Sequence, residues 1–457
     1  MAIMPVTDSM FLLAESREHP MHVGGLQLWK PPADAGPDYL AELHHRLLAT
    51  EVRSLFRRRL RGPIGLGQAW RIDDDMDLEY HIRLSALPRP GRVRELLELA
   101  GRLHGSLLDR HRPLWEYHLI EGMTDGRFAS YTKVHHSLLD GVSALRLLAK
   151  SLSTDPDARE LLPPWGEPPA SEKKGPRANG GPLAGIRGAA KAVGELAGLA
   201  PALWQTANDL FREQSASTLA SPAPRSMLNV PITGARRFAA DQWDMDRIRK
   251  VSKAAGATLN DVMLAMCSGA LRRYLLSYDA LPERPLVAGV PVSLRARKKD
   301  SGDSGNAVGL ILCNLATDQA DPATRLAEIH ASMTRGKEFY AGMSPLQITA
   351  LSALPLIPLA VGVLPGGTKV MSPRFNVLIS NVPGPPRRLY WNGAELDGIY
   401  PVSIPYEGQA LNITVTSYAG RLAFGLTGCR RTVPHLQRLL GYLEDSLTEL
   451  EKATSGV

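Results

Sequence analysis

Two adjacent histidines, His135 and His136, precede Asp140-Gly141 in the stretch YTKVHHSLLDGVSA, residues 131–144, and no other part of the chain is better equipped for chemistry. A neutral imidazole takes a proton from a hydroxyl or thiol near neutral pH, because its unperturbed pKa is about 6.5. Base catalysis of this kind is worth roughly 10²–10⁴-fold. Metal binding does not suit the pair, since two ligands on one face of a strand or helix need i,i+2 or i,i+4 spacing. In a strand, Thr132, Val134 and His136 share one face and Tyr131, Lys133 and His135 the other. One histidine is therefore at the active position and the other is structural. Asp140 either orients a histidine as in a triad or caps the turn and pairs with an arginine, and the structural role is favoured. Gly141 would give that turn a residue free to take unusual dihedrals. There is no G-x-S-x-G, and Cys267, Cys313 and Cys429 lack an activating context. The base would then activate one substrate for direct attack on the other, with no covalent enzyme intermediate.

The elements that must hold this stretch can be read from periodicity. Residues 114–123 and 127–136 read as a strand pair around Asp125-Gly126, and 142–153 as a helix with Asp140 at its cap. Alternation predicts a strand over 21–29 and helical spacing predicts a helix over 92–109. Farther on, 258–277 is a helix with Asn260-Asp261 in its first turn. Residues 284–295 and 374–386 read as strands, 410–429 as a hairpin around Ala419-Gly420, and 435–453 as the closing helix.

The chain of 457 residues is long enough for two or three cores. Residues 1–155 and 226–457 read as two mixed α/β regions, and 156–225 as a connection rich in Pro, Gly and charge at 163–182. Within it, Leu183, Ile186, Val193, Leu196, Leu203 and Phe211 make an amphipathic helix, packed on a domain or touching a lipid surface. From Phe339 to Thr368 no residue is charged, but Pro345, Pro355, Pro358 and Pro365 argue against a spanning helix. This segment reads as a tunnel wall for a chain-like ligand or a surface that dips into a bilayer. The net charge is +7, with Lys and Arg scattered among acids. No nucleic-acid motif is present, and a basic surface suits anionic lipid or a phosphate-bearing ligand. The cysteines show no metal spacing and suit a reducing compartment. The N-terminus is not a signal peptide, so the expected location is cytoplasmic.

HHSLLDG matches the HHxxxDG motif of the CoA-dependent acyltransferase superfamily that includes chloramphenicol acetyltransferase and peptide-synthetase condensation domains. The ordered blocks RPLWEYHLIEG (112–122), LNDVMLA (259–265), PVSLR (291–295), GN (305–306) and ISNVPGP (379–385), with the opening DSMFLLAESREHPMHVGGLQL (8–28), narrow the match. Nearly the whole chain resembles the bacterial bifunctional wax ester synthase/diacylglycerol acyltransferases. The resemblance implies an α/β (α+β) fold of two chloramphenicol acetyltransferase-like domains, each a mixed sheet packed with helices, with an active-site tunnel at their interface. It implies fatty acyl-CoA as co-substrate and no permanently bound cofactor or metal. The acceptor would be a long-chain alcohol or diacylglycerol, and the protein would sit peripherally on the inner membrane face or on lipid inclusions. By resemblance His136 is the general base, His135 supports it, and Asp140 pairs with Arg295. The oxyanion donors stay open among the backbone near Gly141, Asn260 and Asn381, while Asp261 and Pro383 shape the site. Pro113, Leu114 and Trp115 read as packing. Two other readings compete: a condensation-type acyltransferase using carrier-protein thioesters, and a non-catalytic coat protein of lipid inclusions.

Overall fold

The computed structural model describes residues 2–4, 6–62, 68–168, 222–294, 307–341, 343, 348 and 373–455. Arg295, residues 169–221 and most of the apolar 339–368 segment lie outside the described residues.

Chain order begins with β1 (Ala2–Ile3), α1 (Val6–Ala14), β2 (His22–Lys30), α2 (Tyr39–Leu48), β3 (Arg58–Arg61) and β4 (Ala69–Ile72). Next come α3 (Leu78–His81), β5 (Ile82–Ala86), α4 (Val93–Gly105), β6 (Trp115–Glu121), β7 (Phe128–His135) and α5 (Gly141–Lys150). The second half holds β8 (Arg236–Asp244), α6 (Met245–Ala254), α7 (Leu259–Leu276), β9 (Val287–Leu294), β10 (Ala307–Asn314) and α8 (Pro322–Tyr340). It closes with β11 (Val377–Val382), β12 (Tyr390–Trp391), β13 (Ala394–Val402), β14 (Leu411–Tyr418), β15 (Arg421–Cys429) and α9 (Arg438–Thr454).

Two six-stranded mixed sheets carry the fold, ordered β12-β13-β2-β7-β6-β5 and β10-β9-β11-β14-β15-β8, beside a small sheet β1-β4-β3. The first sheet therefore takes two strands from the second half of the chain. β13 pairs antiparallel with β2, with Gly24 opposite Val402 and Leu26 opposite Tyr400. Sequence periodicity finds most elements to within a few residues but cannot show this crossing, because it reports local pattern and not partner.

In the second sheet, alternation sorts side chains cleanly. Ile413, Val415, Phe424 and Leu426 join α7, α8 and α9 in one apolar core. α7 is hydrophobic almost all round, as a helix buried on all sides must be, and Val262 through Cys267 have no exposed surface. Thr258 starts it with a reciprocal cap: its hydroxyl accepts the Asp261 amide, and the Asp261 carboxylate accepts the Thr258 amide at 2.9 Å. Another core joins the halves, with Leu26, Ala100 and Tyr131 packed beside Phe238, Tyr400 and Ala423. Close approach there requires glycine: a Cβ on Gly425 would lie 1.9 Å from the Pro401 carbonyl oxygen. The hairpin turn at Ala419-Gly420 has positive φ at both residues, 45° and 82°, the twist that two-residue hairpin turns need.

Candidate active site

β7 ends at His135, and the chain turns into α5 within five residues, so the histidine pair sits where a strand releases a loop. The two rings go to different environments. His135 is fully buried. Its Nδ1 accepts the Ser137 amide at 3.1 Å and lies 2.7 Å from the Ser137 hydroxyl. An amide nitrogen can only donate, which assigns the ring proton to Nε2. That nitrogen faces Glu15 Oε1 at 3.4 Å, an ion-pair distance without hydrogen-bond geometry. Glu15 in turn accepts the Met21 amide at 3.1 Å and the Arg110 guanidinium at 2.9 and 3.1 Å. Burial acts to raise the Glu15 carboxyl pKa, but the nearby His135 ring and the hydrogen bonds from Met21 and Arg110 outweigh it and hold the group below its usual value.

His136 is half-buried, and neither ring nitrogen is taken by another side chain among the described residues. Phe11 of α1 stacks on it, with ring centroids 4.1 Å apart and planes at 20°. Its backbone amide donates to the Met21 carbonyl at 2.9 Å. Burial lowers the imidazole pKa; the Asp140 charge opposes this without reversing it. The ring is thus neutral and unencumbered near neutral pH, as a general base requires.

Asp140 is the N-cap of α5. It accepts the Ser143 amide at 2.8 Å and the Ser143 hydroxyl at 2.7 Å. Burial acts to raise its pKa, yet these bonds and the nearby His136 bring it below the ordinary carboxylate value. Its expected partner Arg295 lies outside the described residues. For Gly141 the structure corrects the conformational argument. It is the first residue of α5 and has no positive φ, and a Cβ there would meet nothing within 4 Å.

A cavity enclosing about 930 Å³, its open mouth included, lies between the two sheets. Thr132 and Val134 of β7 line it with Gly141, Leu145 and Leu148. Val382, Thr414 and Thr416 form the opposing wall, and Phe56 and Trp165 close an apolar end. His136 is not among the lining residues; it follows Val134 by two positions on the loop that bounds the cavity. Asn381, just before Val382, donates from Nδ2 to Asn260 Oδ1 at 3.4 Å, so β11 and the start of α7 meet there. No described contact joins this asparagine pair to His136. Asp261 is buried, bonded to the Thr258 amide and lying 2.7 Å from His330 Nδ1. Pro383 follows the end of β11, and the next residue, Gly384, donates its amide to Ser417 at 3.3 Å. Leu114 and Trp115 have no exposed surface, and Trp115 stacks on His81 and Trp165.

Sequence reasoning did not find Phe11, Glu15 or Arg110. Phe11 and Glu15 are four residues apart, the spacing of one helical face, but nothing local says that this face meets the histidines.

Among the described residues no group of three or more His, Cys, Asp or Glu could hold a metal ion. No single described helix is long and apolar enough to cross a membrane; α6 and α7 pass together by length and composition, but they meet at 102° and most of α7 is buried.

The fold is that of the condensation domains: the first condensation domain of the calcium-dependent antibiotic synthetase matches at a TM-score of 0.59 and 17% identity, over 99% of this chain and 96% of that one. HHxxxDG lies where β7, a central strand of this fold, ends. A family model described as the wax ester synthase/diacylglycerol acyltransferase catalytic domain matches residues 4–263, and that of the WS/DGAT C-terminal domain matches residues 304–451. The chain belongs to this family. It is 53% identical to a probable diacylglycerol O-acyltransferase of Mycobacterium tuberculosis, over 99% of each chain. It is 40% identical to the O-acyltransferase WSD of Acinetobacter baylyi, over 97% of this chain and 96% of that one. The solved wax ester synthase/diacylglycerol acyltransferase of Marinobacter aquaeolei VT8 covers the whole of both chains, at a TM-score of 0.80 and 46% identity.

Proposed function

We propose that this acyltransferase moves a fatty acyl group from acyl-CoA to the hydroxyl of a long-chain alcohol or a diacylglycerol, with His136 as general base. The observation that carries the reading is the unencumbered ring of His136, with its lowered pKa, on the loop that bounds an apolar cavity. His136 takes the acceptor's hydroxyl proton as the oxygen attacks the thioester carbonyl. The carbon–oxygen bond forms, the carbon–sulfur bond breaks, and the protonated ring returns its proton to the departing CoA thiolate. The developing oxyanion needs donors. The Gly141 amide, in the first turn of α5 and on the cavity wall, is one candidate, and Asn260 and Asn381 are others.

His135, Glu15 and Arg110 hold the strand end, and Asp140 fixes the start of α5. Both substrates carry long apolar chains, which suits the wall of Leu145, Leu148, Phe56 and Trp165. We infer that α1 meets a lipid surface, because Met10 and Leu13, beside Phe11, are 49% and 45% exposed.

CoA release from palmitoyl-CoA, followed with hexadecanol or dipalmitoylglycerol as acceptor, tests the reading. Wild type turns over, and His136→Ala loses roughly 10²–10⁴-fold in kcat with no change in melting temperature. A His136→Ala variant with near-normal turnover would sink the assignment. Competition between the two acceptors ranks them.

A further inference from the structure

We propose that Asn412 and Thr414 form a hydrogen-bond donor site for a substrate carbonyl oxygen in the cavity, an inference that rests on the acyl-transfer reading above. Asn412, Thr414 and Thr416 alternate along β14 and share one face of the second sheet, while Ile413 and Val415 point into the helix-packed core. That shared face looks toward the first sheet, and Thr414 and Thr416 line the cavity. The Thr416 hydroxyl is already committed, donating to the Val382 carbonyl at 2.7 Å.

Asn412 and Thr414 are different. Asn412 is 1% exposed, and its Nδ2 is buried with no hydrogen-bond partner among the described residues. Among the described residues its single side-chain bond is the 2.9 Å contact between Asn412 Oδ1 and Thr414 Oγ1. A buried donor left unmet costs about 1–3 kcal/mol, so such groups are rarely kept without a use. The count of spare hydrogens does not depend on which way the amide is turned. If Thr414 donates to the amide oxygen, both Asn412 N–H hydrogens remain unused. With the amide reversed, one N–H goes to Thr414 Oγ1, and the threonine O–H is freed beside the cavity. Either way the pair has two donor hydrogens to spare.

An acceptor that enters a largely apolar cavity and accepts without donating is a carbonyl oxygen. Two substrates supply one: the acyl-CoA, through its thioester or a pantetheine amide, and a diacylglycerol acceptor, through its ester. A fatty alcohol has none. The neighbours leave room for one: Thr414 lies opposite Ser380 on β11 and Gly425 on β15, both small.

Thr414→Val removes the hydroxyl at nearly constant volume. With palmitoyl-CoA as donor, kcat is measured with hexadecanol and with dipalmitoylglycerol, alongside melting temperature. The expected result is a loss of about tenfold to a hundredfold, the size expected when a polar contact with substrate is removed. The fold should be intact, and Thr414→Ser should restore most of the rate. A merely structural threonine would not show that rescue at an unchanged melting temperature. Loss with both acceptors assigns the site to a carbonyl of the acyl-CoA, and loss with dipalmitoylglycerol alone assigns it to the acceptor's ester. Normal turnover with both, in a folded Thr414→Val, overturns the proposal. Should Thr414→Val fail to fold, Thr414→Ala, which adds no methyl against its neighbours, is read by the same criteria. A wild type inactive with every acceptor would instead overturn the acyl-transfer reading, so the two failures are distinct.

Discussion

The first sheet hides a layer of titratable groups where the second hides hydrocarbon. Behind β7, Lys133 Nζ lies 3.1 Å from Glu116, donates to the Leu103 and Ser106 carbonyls, and is 1% exposed. His118 reaches Glu116 at 3.3 Å, and the His104 ring meets the Tyr131 hydroxyl at 2.8 Å and the Ser403 carbonyl at 2.9 Å. The helix-facing side of the second sheet has Ile413, Val415, Phe424 and Leu426 instead, against α7, α8 and α9. Buried apolar side chains stabilise by roughly 1.5–3 kcal/mol each. Buried ion pairs add little net stability, because desolvation offsets attraction. Their directional bonds nonetheless fix positions. The half that carries His136 is held in register by polar contacts, and the other half supplies the stable mass and one cavity wall.

The contrast can be tested at sites of decreasing effect. Lys133→Met leaves the buried Glu116 with only the more distant Arg83, at 3.6 Å, as a cation and should cost about 3 kcal/mol. Adding Glu116→Leu should recover most of it, as read by denaturant midpoints; a single variant as stable as wild type would break the contrast. Leu264→Ala, with no exposed surface on α7, should cost about 2–5 kcal/mol. Turnover should survive below the new melting point, because the scaffold is not the chemistry.

Acid should act on the first half. Burial pushes the His104 pKa down to about 3 and lowers those of His22, His81 and His118. The unfolded chain binds protons on these residues near pH 6.5 and the folded chain does not. Stability is therefore full above that value and falls as pH drops below it toward 3. Melting temperatures from pH 8 to pH 4 should show the fall, and His104→Gln should flatten it; an unchanged slope would count against these groups.

The smallest effect belongs to Asp140→Ala, about 1 kcal/mol from the lost cap. It should also move the acid limb of the kcat profile to lower pH, because the Asp140 charge raises the His136 pKa. Asp140→Asn should keep the cap and show the limb shift alone, which separates the two roles.

What the sequence makes legible follows from range. β7, α5 and the hairpin at Ala419-Gly420 are written in local period and turn chemistry, and HHxxxDG is seven consecutive residues. Strand alternation separates the two histidines on paper, but β7 stops at His135, and it is the turn after the strand that carries His136 away. Glu15 escapes because its meeting with His135 depends on how α1 packs, and β13 escapes because nothing in Ala394–Val402 names β2 as its neighbour. The cavity wall escapes for the same reason: Thr132 and Thr414 are 282 positions apart along the chain (414 minus 132) and meet only after both sheets form.

The antiparallel joining of β13 to β2 bears on the order of events at the ribosome. Synthesis proceeds from the N-terminus, and domains generally fold as they emerge. The sheet that carries the histidine pair cannot do so completely, since β2 keeps a bare edge until residues 394–402 have been made. That edge is a template for wrong strands throughout the interval. Closing it ties residue 24 to residue 402, a pairing of high sequence separation that slows folding. The newborn chain thus carries its histidine pair long before the strand that completes the sheet around it has been made.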